Sequence, residues 1–183
     1  MLTDYVVIDL EMTGLNAKTD RILEAGAARV RGNVVTATFS EIINPKRELS
    51  EKVISLTGIT NEMAVQGKEM DATLMAFLDF IGEDILVGQN VIFDYSFLKQ
   101  WAVNHKRTFE RNAVDTLKLA RKFLPQEQKK DLASLCSYFG IERVHAHRAL
   151  DDVMETQQIL NNCKKCMRQE HQRRFDHIHC NIK

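Results

Sequence analysis

The alternation of apolar and polar positions divides the chain into short runs of two periods. Tyr5 to Leu10 is apolar apart from Asp9, rich in β-branched residues, and predicts a strand. Ile22 to Arg31 and Asn33 to Asn44 predict two more, joined tightly at Gly32-Asn33 as a hairpin. Glu51 to Leu56 predicts a short helix stopped near Gly58. Leu74, Met75, Phe77, Leu78 and Ile81 recur at helical spacing in a segment from Asp71 that Gly82 ends. Ile85 to Val87 reads as a brief buried strand. Phe93, Phe97, Leu98 and Trp101 mark a further helix. Ala113-Val114 reads as a strand end, and Thr116 to Phe123 as a helix terminated by Pro125. Asp131 caps a helix through Phe139 that Gly140 closes. A last helix runs from about Arg148 to about Cys163.

Three strands come first, and strands then alternate with helices. That order predicts an α/β fold with a mixed sheet covered by helices on both faces. The early hairpin excludes an all-parallel sheet. The 183 residues suit one domain with a short appendage. We divide the chain into a body, 1–162, and a basic, Cys/His-containing extension, 163–183.

Net charge is zero, so no global basic signature of a nucleic-acid binder exists. The charge is nonetheless uneven: from Asn161 onward the chain carries +4, leaving −4 on the body. An acidic body is compatible with a site that binds phosphate through metal ions held by carboxylates. No run approaches the roughly 20 apolar residues of a membrane span, so no membrane association is expected. The N-terminus has no basic segment before its apolar run and does not read as a signal peptide. The cytoplasm is the expected compartment. There the four cysteines are better read as thiols or metal ligands than as disulfides. Cys163, Cys166, His177, His179 and Cys180 have the ligand types of a Zn²⁺ site. The alternative is a basic helical extension with incidental thiols.

On a strand, Tyr5, Val7, Asp9 and Glu11 share one face. Two adjacent acids at the end of an apolar strand repel each other, and a cation between them would remove the repulsion. The ordinary alternative is that both reach water where the strand ends. Asp94 begins a helix beyond a strand exit, where it complements the helix dipole or lines a ligand crevice. At about 100° per residue, Ala149, Val153, Thr156 and Leu160 form one stripe facing the sheet. Asp152 lies beside that stripe. Asp151 points nearly the opposite way, among Glu155 and Gln158, and is expected in solvent. His147 opens this helix, as a surface or capping histidine or as a residue leaning over the acids; His145 competes with it. An oxygen-rich cluster of four such acids suits Mg²⁺ or Mn²⁺.

These residues resemble the DEDDh 3′→5′ exonucleases, the family of the proofreading epsilon subunit of bacterial DNA polymerase III. The family's first motif appears as Asp9-Leu-Glu11-Met-Thr13-Gly14. The second appears as Asn90-Val-Ile-Phe93-Asp94, and the third as His147-Arg-Ala149-Leu-Asp151-Asp152. This spacing selects His147 over His145 and Asp152 over Asp151. The resemblance covers about residues 4 to 162. Met12 stands where the family often has Thr, and Thr57 where epsilon has His.

The resemblance implies a ribonuclease H-like fold, a five-stranded mixed sheet with helices on both faces, with 1–162 as the exonuclease domain. It implies two divalent cations, Mg²⁺ or Mn²⁺, held by Asp9, Glu11, Asp94 and Asp152, and His147 as general base. Thr13, Gly14, Leu15, Thr57 and Asn90 would contact the terminal nucleotide, with Leu15 as a wedge beside its base. The expected substrate is a nucleic acid 3′ end, single-stranded DNA first; a polymerase subunit is the candidate protein partner, with a free-standing enzyme as the alternative. RNA trimming, as in oligoribonuclease-like enzymes, and a non-catalytic nucleic-acid-binding module are the alternatives.

Overall fold

The computed structural model describes residues 2–126, 128–143 and 147–180, with side chains of the last helix described through residue 169. Its sheet has five strands: β1 (Tyr5–Met12), β2 (Ile22–Arg31), β3 (Val34–Ile42), β4 (Leu86–Gly88) and β5 (Ala113–Asp115). Their order is β3-β2-β1-β4-β5. The first three are antiparallel neighbours, and β1, β4 and β5 run parallel. The expected mixed sheet is therefore present. Gly32 and Asn33 both have positive φ, 57° and 68°, as a tight primed hairpin turn demands.

Seven helices complete the described chain: α1 (Glu51–Thr57), α2 (Asn61–Gln66), α3 (Met70–Ile81), α4 (Ile92–Asn104), α5 (Thr116–Phe123), α6 (Leu132–Phe139) and α7 (Ala149–Cys180). The sequence pattern missed only α2, six residues capped by Thr60. The alternation of β1 sorts its side chains between two cores. Val6, Ile8 and Leu10 join Leu74, Phe77, Leu98 and Trp101 of α3 and α4 on one face. Tyr5 and Val7 join Val153 and Leu160 of α7 on the other. Asp9 and Glu11 continue that second series, so β1 delivers both acids beneath α7.

Ala149, Val153, Thr156 and Leu160 are buried, as the helical stripe requires. Glu155, expected among solvated residues, is only 3% exposed. The reason is a second neighbour. Ile159 and Cys163 of α7 pack with Ala120 of α5 and with Leu135 and Cys136 of α6, so α7 is covered on two sides. Gln158 is exposed and Asp151 half-buried. The helix also crosses residues 162–163 without a break. Lys164 is buried there, donating to Asn33 Oδ1 at 3.2 Å with its ammonium 4.7 Å from the Tyr5 ring centroid.

One close approach sets the height of α7 above the sheet. Gly26 of β2 lies opposite Asp9 in the ladder. A Cβ at Gly26 would sit 2.5 Å from the carbonyl carbon of Ala149 and 2.7 Å from the Leu150 nitrogen. Both are backbone atoms of the first turn of α7, which cannot rotate aside as a side chain would. Gly26→Ala should therefore lift the start of α7 and destabilise the fold by about 1–3 kcal/mol. A denaturant midpoint equal to that of wild type would refute this packing account.

Candidate active site

Five residues from four places meet at the carboxyl ends of β1 and β4. Asp9 and Glu11 come from β1, Asp94 from the first turn of α4, Asp152 from the first turn of α7, and His147 from the segment before α7. Ligand atoms of Glu11, His147 and Asp152 all lie within 4.8 Å of one another. Glu11, Asp94 and Asp152 are buried, whereas Asp9 is half-buried. Protein atoms surround Asp9 closely and it still touches solvent. His147 is also half-buried, and its backbone has φ 59°. His145 lies outside the described residues.

The carboxylates disturb one another. Burial holds Asp9 well above the ordinary carboxylate range, and the charges of Asp94, Glu11, Asp152 and Glu24 add to that effect. Burial, then Asp152 and Glu24, push Glu11 to about 8, with Arg148 pulling the other way. Asp94 rises to about 7 through burial, opposed by the N–H of Leu10, which donates to its Oδ1 at 2.9 Å. That amide is available because short β4 pairs with β1 only at Val6 and Val7. Burial also raises Asp152, against the lowering effect of Arg143 and His147.

Sequence reasoning missed four charged residues around this site, Arg143, Glu155, Glu24 and Arg148. Arg143 donates from Nη2 to Asp152 Oδ1 and from Nε to Glu155 Oε2, both at 2.8 Å. Cys136 donates to the same Glu155 oxygen at 3.6 Å, and burial pushes its thiol to about 12. Glu24 of β2, 1% exposed, takes Arg148 and the first amide of α7. The available signal was an acid interrupting the apolar run Ile22-Leu-Glu-Ala, on the same strand face as Gly26.

The expected nucleotide-contacting residues fall in different settings. Asp20 organises the Thr13-Gly14 turn: it lies 3.4 Å from Thr13 Oγ1 and accepts from Asn16 N–H at 2.9 Å. Leu15 projects from this turn, 69% exposed. A cavity of about 320 Å³ adjoins it, lined by Glu11, Thr13, Gly14 and Leu15 on one side and Lys52 and Leu56 on the other. Thr57 points elsewhere. It is buried, its hydroxyl donates to Val53 O at 2.9 Å and accepts from Ile59 N–H at 3.1 Å. Asn90, at φ 59°, donates its N–H to Asp115 Oδ1 at 3.0 Å in the turn before α4.

The donor set fits divalent cations. It is oxygen-rich with one imidazole, and its acids are close enough to raise one another's pKa values. The extension fits zinc less well. Cys163 is buried in the apolar α5–α6–α7 cluster, and burial pushes its thiol to about 11, away from a ligating thiolate. The side chains of His177, His179 and Cys180 lie outside the described residues.

The fold is that of ribonuclease H-like nucleases. The chain overlays the zinc-ion-bound form of the E. coli exonuclease I–ssDNA complex with a TM-score of 0.77 at 20% identity, covering 98% of this chain and 43% of that one. It overlays exonuclease X in complex with 5′-overhanging duplex DNA with a TM-score of 0.70 at 22% identity, covering 87% of this chain and 90% of that one. An exonuclease family model, RNase T, matches residues 6–160, and the chain belongs to that exonuclease family. It is 36% identical over 156 residues to the DNA polymerase III epsilon subunit of Aquifex aeolicus, covering 85% of this chain and 77% of that protein. It is 34% identical over 167 residues to the PolC-type DNA polymerase III of Clostridium perfringens, covering 91% of this chain and spanning only 12% of that polymerase.

The raised acids predict a pH dependence. Unfolded carboxyls titrate near 4, whereas Glu11 and Asp94 in the fold titrate at about 8 and about 7. Between about pH 4 and pH 8 the folded state then holds protons that the unfolded state has already released, so the contribution of these two groups to stability is fully present below about pH 4 and is lost as pH rises through 7 and 8. In chelator, the thermal midpoint should fall across that window. Asp9→Asn should raise the midpoint at pH 8 by about 2–4 °C, the equivalent of about 1 kcal/mol for a chain of this size. An unchanged or lower midpoint in that variant would contradict the repulsion described.

Proposed function

We propose that this chain is a 3′→5′ exonuclease that removes nucleoside 5′-monophosphates from single-stranded DNA. The observation that carries the reading is the convergence of Asp9, Glu11, Asp94, Asp152 and His147 on one crevice. Asp9, Glu11 and Asp152 would hold one divalent cation, Mg²⁺ or Mn²⁺, and Asp9 with Asp94 a second. Bound there, such cations lower the pKa of water and neutralise charge developing on the phosphodiester. His147 accepts the proton of the attacking water. The water oxygen bonds to phosphorus, the P–O3′ bond breaks, and the penultimate 3′ oxygen takes up a proton. The terminal nucleotide leaves with its 5′-phosphate.

The cavity beside Glu11 supports a terminal-nucleotide site. Exposed Leu15 and Leu56 both line it as apolar surfaces for a base, and Lys52 adds a positive charge. Such contacts read base faces and backbone more than base identity. The preference for single-stranded DNA draws on exonuclease I, solved with dA16 and dT13 oligonucleotides. Association with a polymerase draws on the epsilon and PolC-type relatives. Free thiols at Cys136, Cys163 and Cys166 fit a cytoplasmic setting.

End-labelled single-stranded DNA and RNA with Mn²⁺ test the reading. Wild type should shorten DNA from the 3′ end, faster than RNA. Asp9→Ala should abolish the reaction, and His147→Ala should lower kcat by about 10²–10⁴-fold. No shortening of either polymer, or full activity of Asp9→Ala, would overturn the proposal; faster RNA shortening would reassign the substrate. Leu15→Ala should raise KM about 5- to 20-fold at nearly constant kcat, the signature of lost uniform binding. A fall in kcat alone would remove Leu15 from that site.

A further inference from the structure

Glu24 stands at a junction that the proposed reaction does not itself use. It lies opposite Glu11 in the β1–β2 ladder. Its carboxylate is 1% exposed and fully occupied. Arg148 Nε donates to Oε1 and Oε2 at 3.2 Å, Arg148 Nη2 donates to Oε1 at 2.9 Å, and Ala149 N–H donates to Oε2 at 3.0 Å. One buried side chain therefore grips both the residue after His147 and the first residue of α7. Two residues along the same strand face, Gly26 leaves room for this grip by letting the backbone of Ala149 come close.

His147 needs such support. Its φ of 59° lies in the left-handed region that non-glycine residues seldom adopt. Left to itself, the backbone at residue 147 would relax towards negative φ and turn the imidazole away from Glu11 and Asp152. The Arg148–Glu24 pair and the capped amide of Ala149 fix the chain immediately after it. A bidentate pair with its carboxylate buried and a third hydrogen bond is stiffer than a fully exposed ion pair.

We infer that Glu24, acting through Arg148, is a positioning residue that holds His147 over Glu11 and Asp152. The inference rests on the reading of His147 as the proton acceptor. Glu24 does not itself touch substrate or cation: both of its oxygens are engaged within the protein, and it stands outside the Glu11–His147–Asp152 group.

The test compares wild type, Glu24→Gln, Arg148→Lys, His147→Ala and the double variant Glu24→Gln/His147→Ala. Four quantities are measured: kcat and KM on labelled single-stranded DNA with Mn²⁺, the Mn²⁺ dissociation constant by calorimetry, and the metal-free thermal midpoint. Glu24→Gln and Arg148→Lys should each lower kcat about 10- to 100-fold. KM and the Mn²⁺ dissociation constant should stay within about threefold of wild type, and Glu24→Gln should cost less than about threefold further once His147 is alanine. A role confined to stability would lower the midpoint and multiply with the His147 loss. Multiplying losses, loss of Mn²⁺ binding in step with kcat, or unchanged kcat in both single variants would each overturn the inference alone. If Glu24→Gln unfolds, Arg148→Lys carries the same comparison, because Arg148 is partly exposed. A wild type inert on DNA and RNA overturns the exonuclease reading, and this inference with it.

Discussion

Five carboxylates, Asp9, Glu11, Glu24, Asp94 and Asp152, repel one another across the end of the sheet. Nothing in hydrophobic burial favours that arrangement. It persists because the surrounding structure leaves each acid nowhere else to go. Strand alternation fixes Asp9 and Glu11 on one face, an unpaired amide of β1 holds Asp94, and the glycine gap beneath Ala149 seats Asp152. The two large cores on either face of the sheet supply the stability against which this repulsion is held. The site is thus a region of concentrated unfavourable charge within a well-packed scaffold, the usual trade of stability for function.

The two arginines divide the remaining charge. Arg143 engages Asp152 and Glu155, and Arg148 engages Glu24. Both flank the segment that carries His147, one on each side in sequence. Each is tied to a buried acid, Arg143 to two acids of α7 and Arg148, next to His147, to Glu24 of the sheet. The acids that repel one another therefore also anchor the residue proposed to move the proton. Among the described residues no hydrogen bond reaches the buried Glu155 Oε1.

Much of this was legible in the sequence because local rules governed it. The period of β1 paired Asp9 with Glu11, and helix geometry favoured Asp152 over Asp151. The Gly32-Asn33 turn, the Asp131 cap and the Gly140 stop all follow from single-residue chemistry. What escaped was set by distant partners. Glu155 looked solvated because one helical wheel knows only one neighbour, whereas α7 has the sheet on one side and α5 and α6 on another. Glu24 and Arg148 are separated by 124 residues, and no local pattern joins them. The continuation of α7 through Cys180 agrees with the reading of the tail as a basic helical extension, although past Cys163 it shows no apolar period of its own. Thr57 was placed by motif alignment, and the backbone around it occupies its hydroxyl instead.

The close approach at Gly26 has a consequence for how such a domain can change. It depends on the absence of a Cβ, so variation there reaches the fold and the acids together. Leu15, Lys52 and Leu56 lie exposed around the neighbouring cavity, away from the helix–sheet seam. The proposed chemistry and the proposed recognition are thereby built on separable parts of one domain. The first is rigid and intolerant of added volume, and the second is free to drift in shape and charge. On that reading a lineage can explore new nucleic-acid ends through those three surface positions without rebuilding the acidic centre.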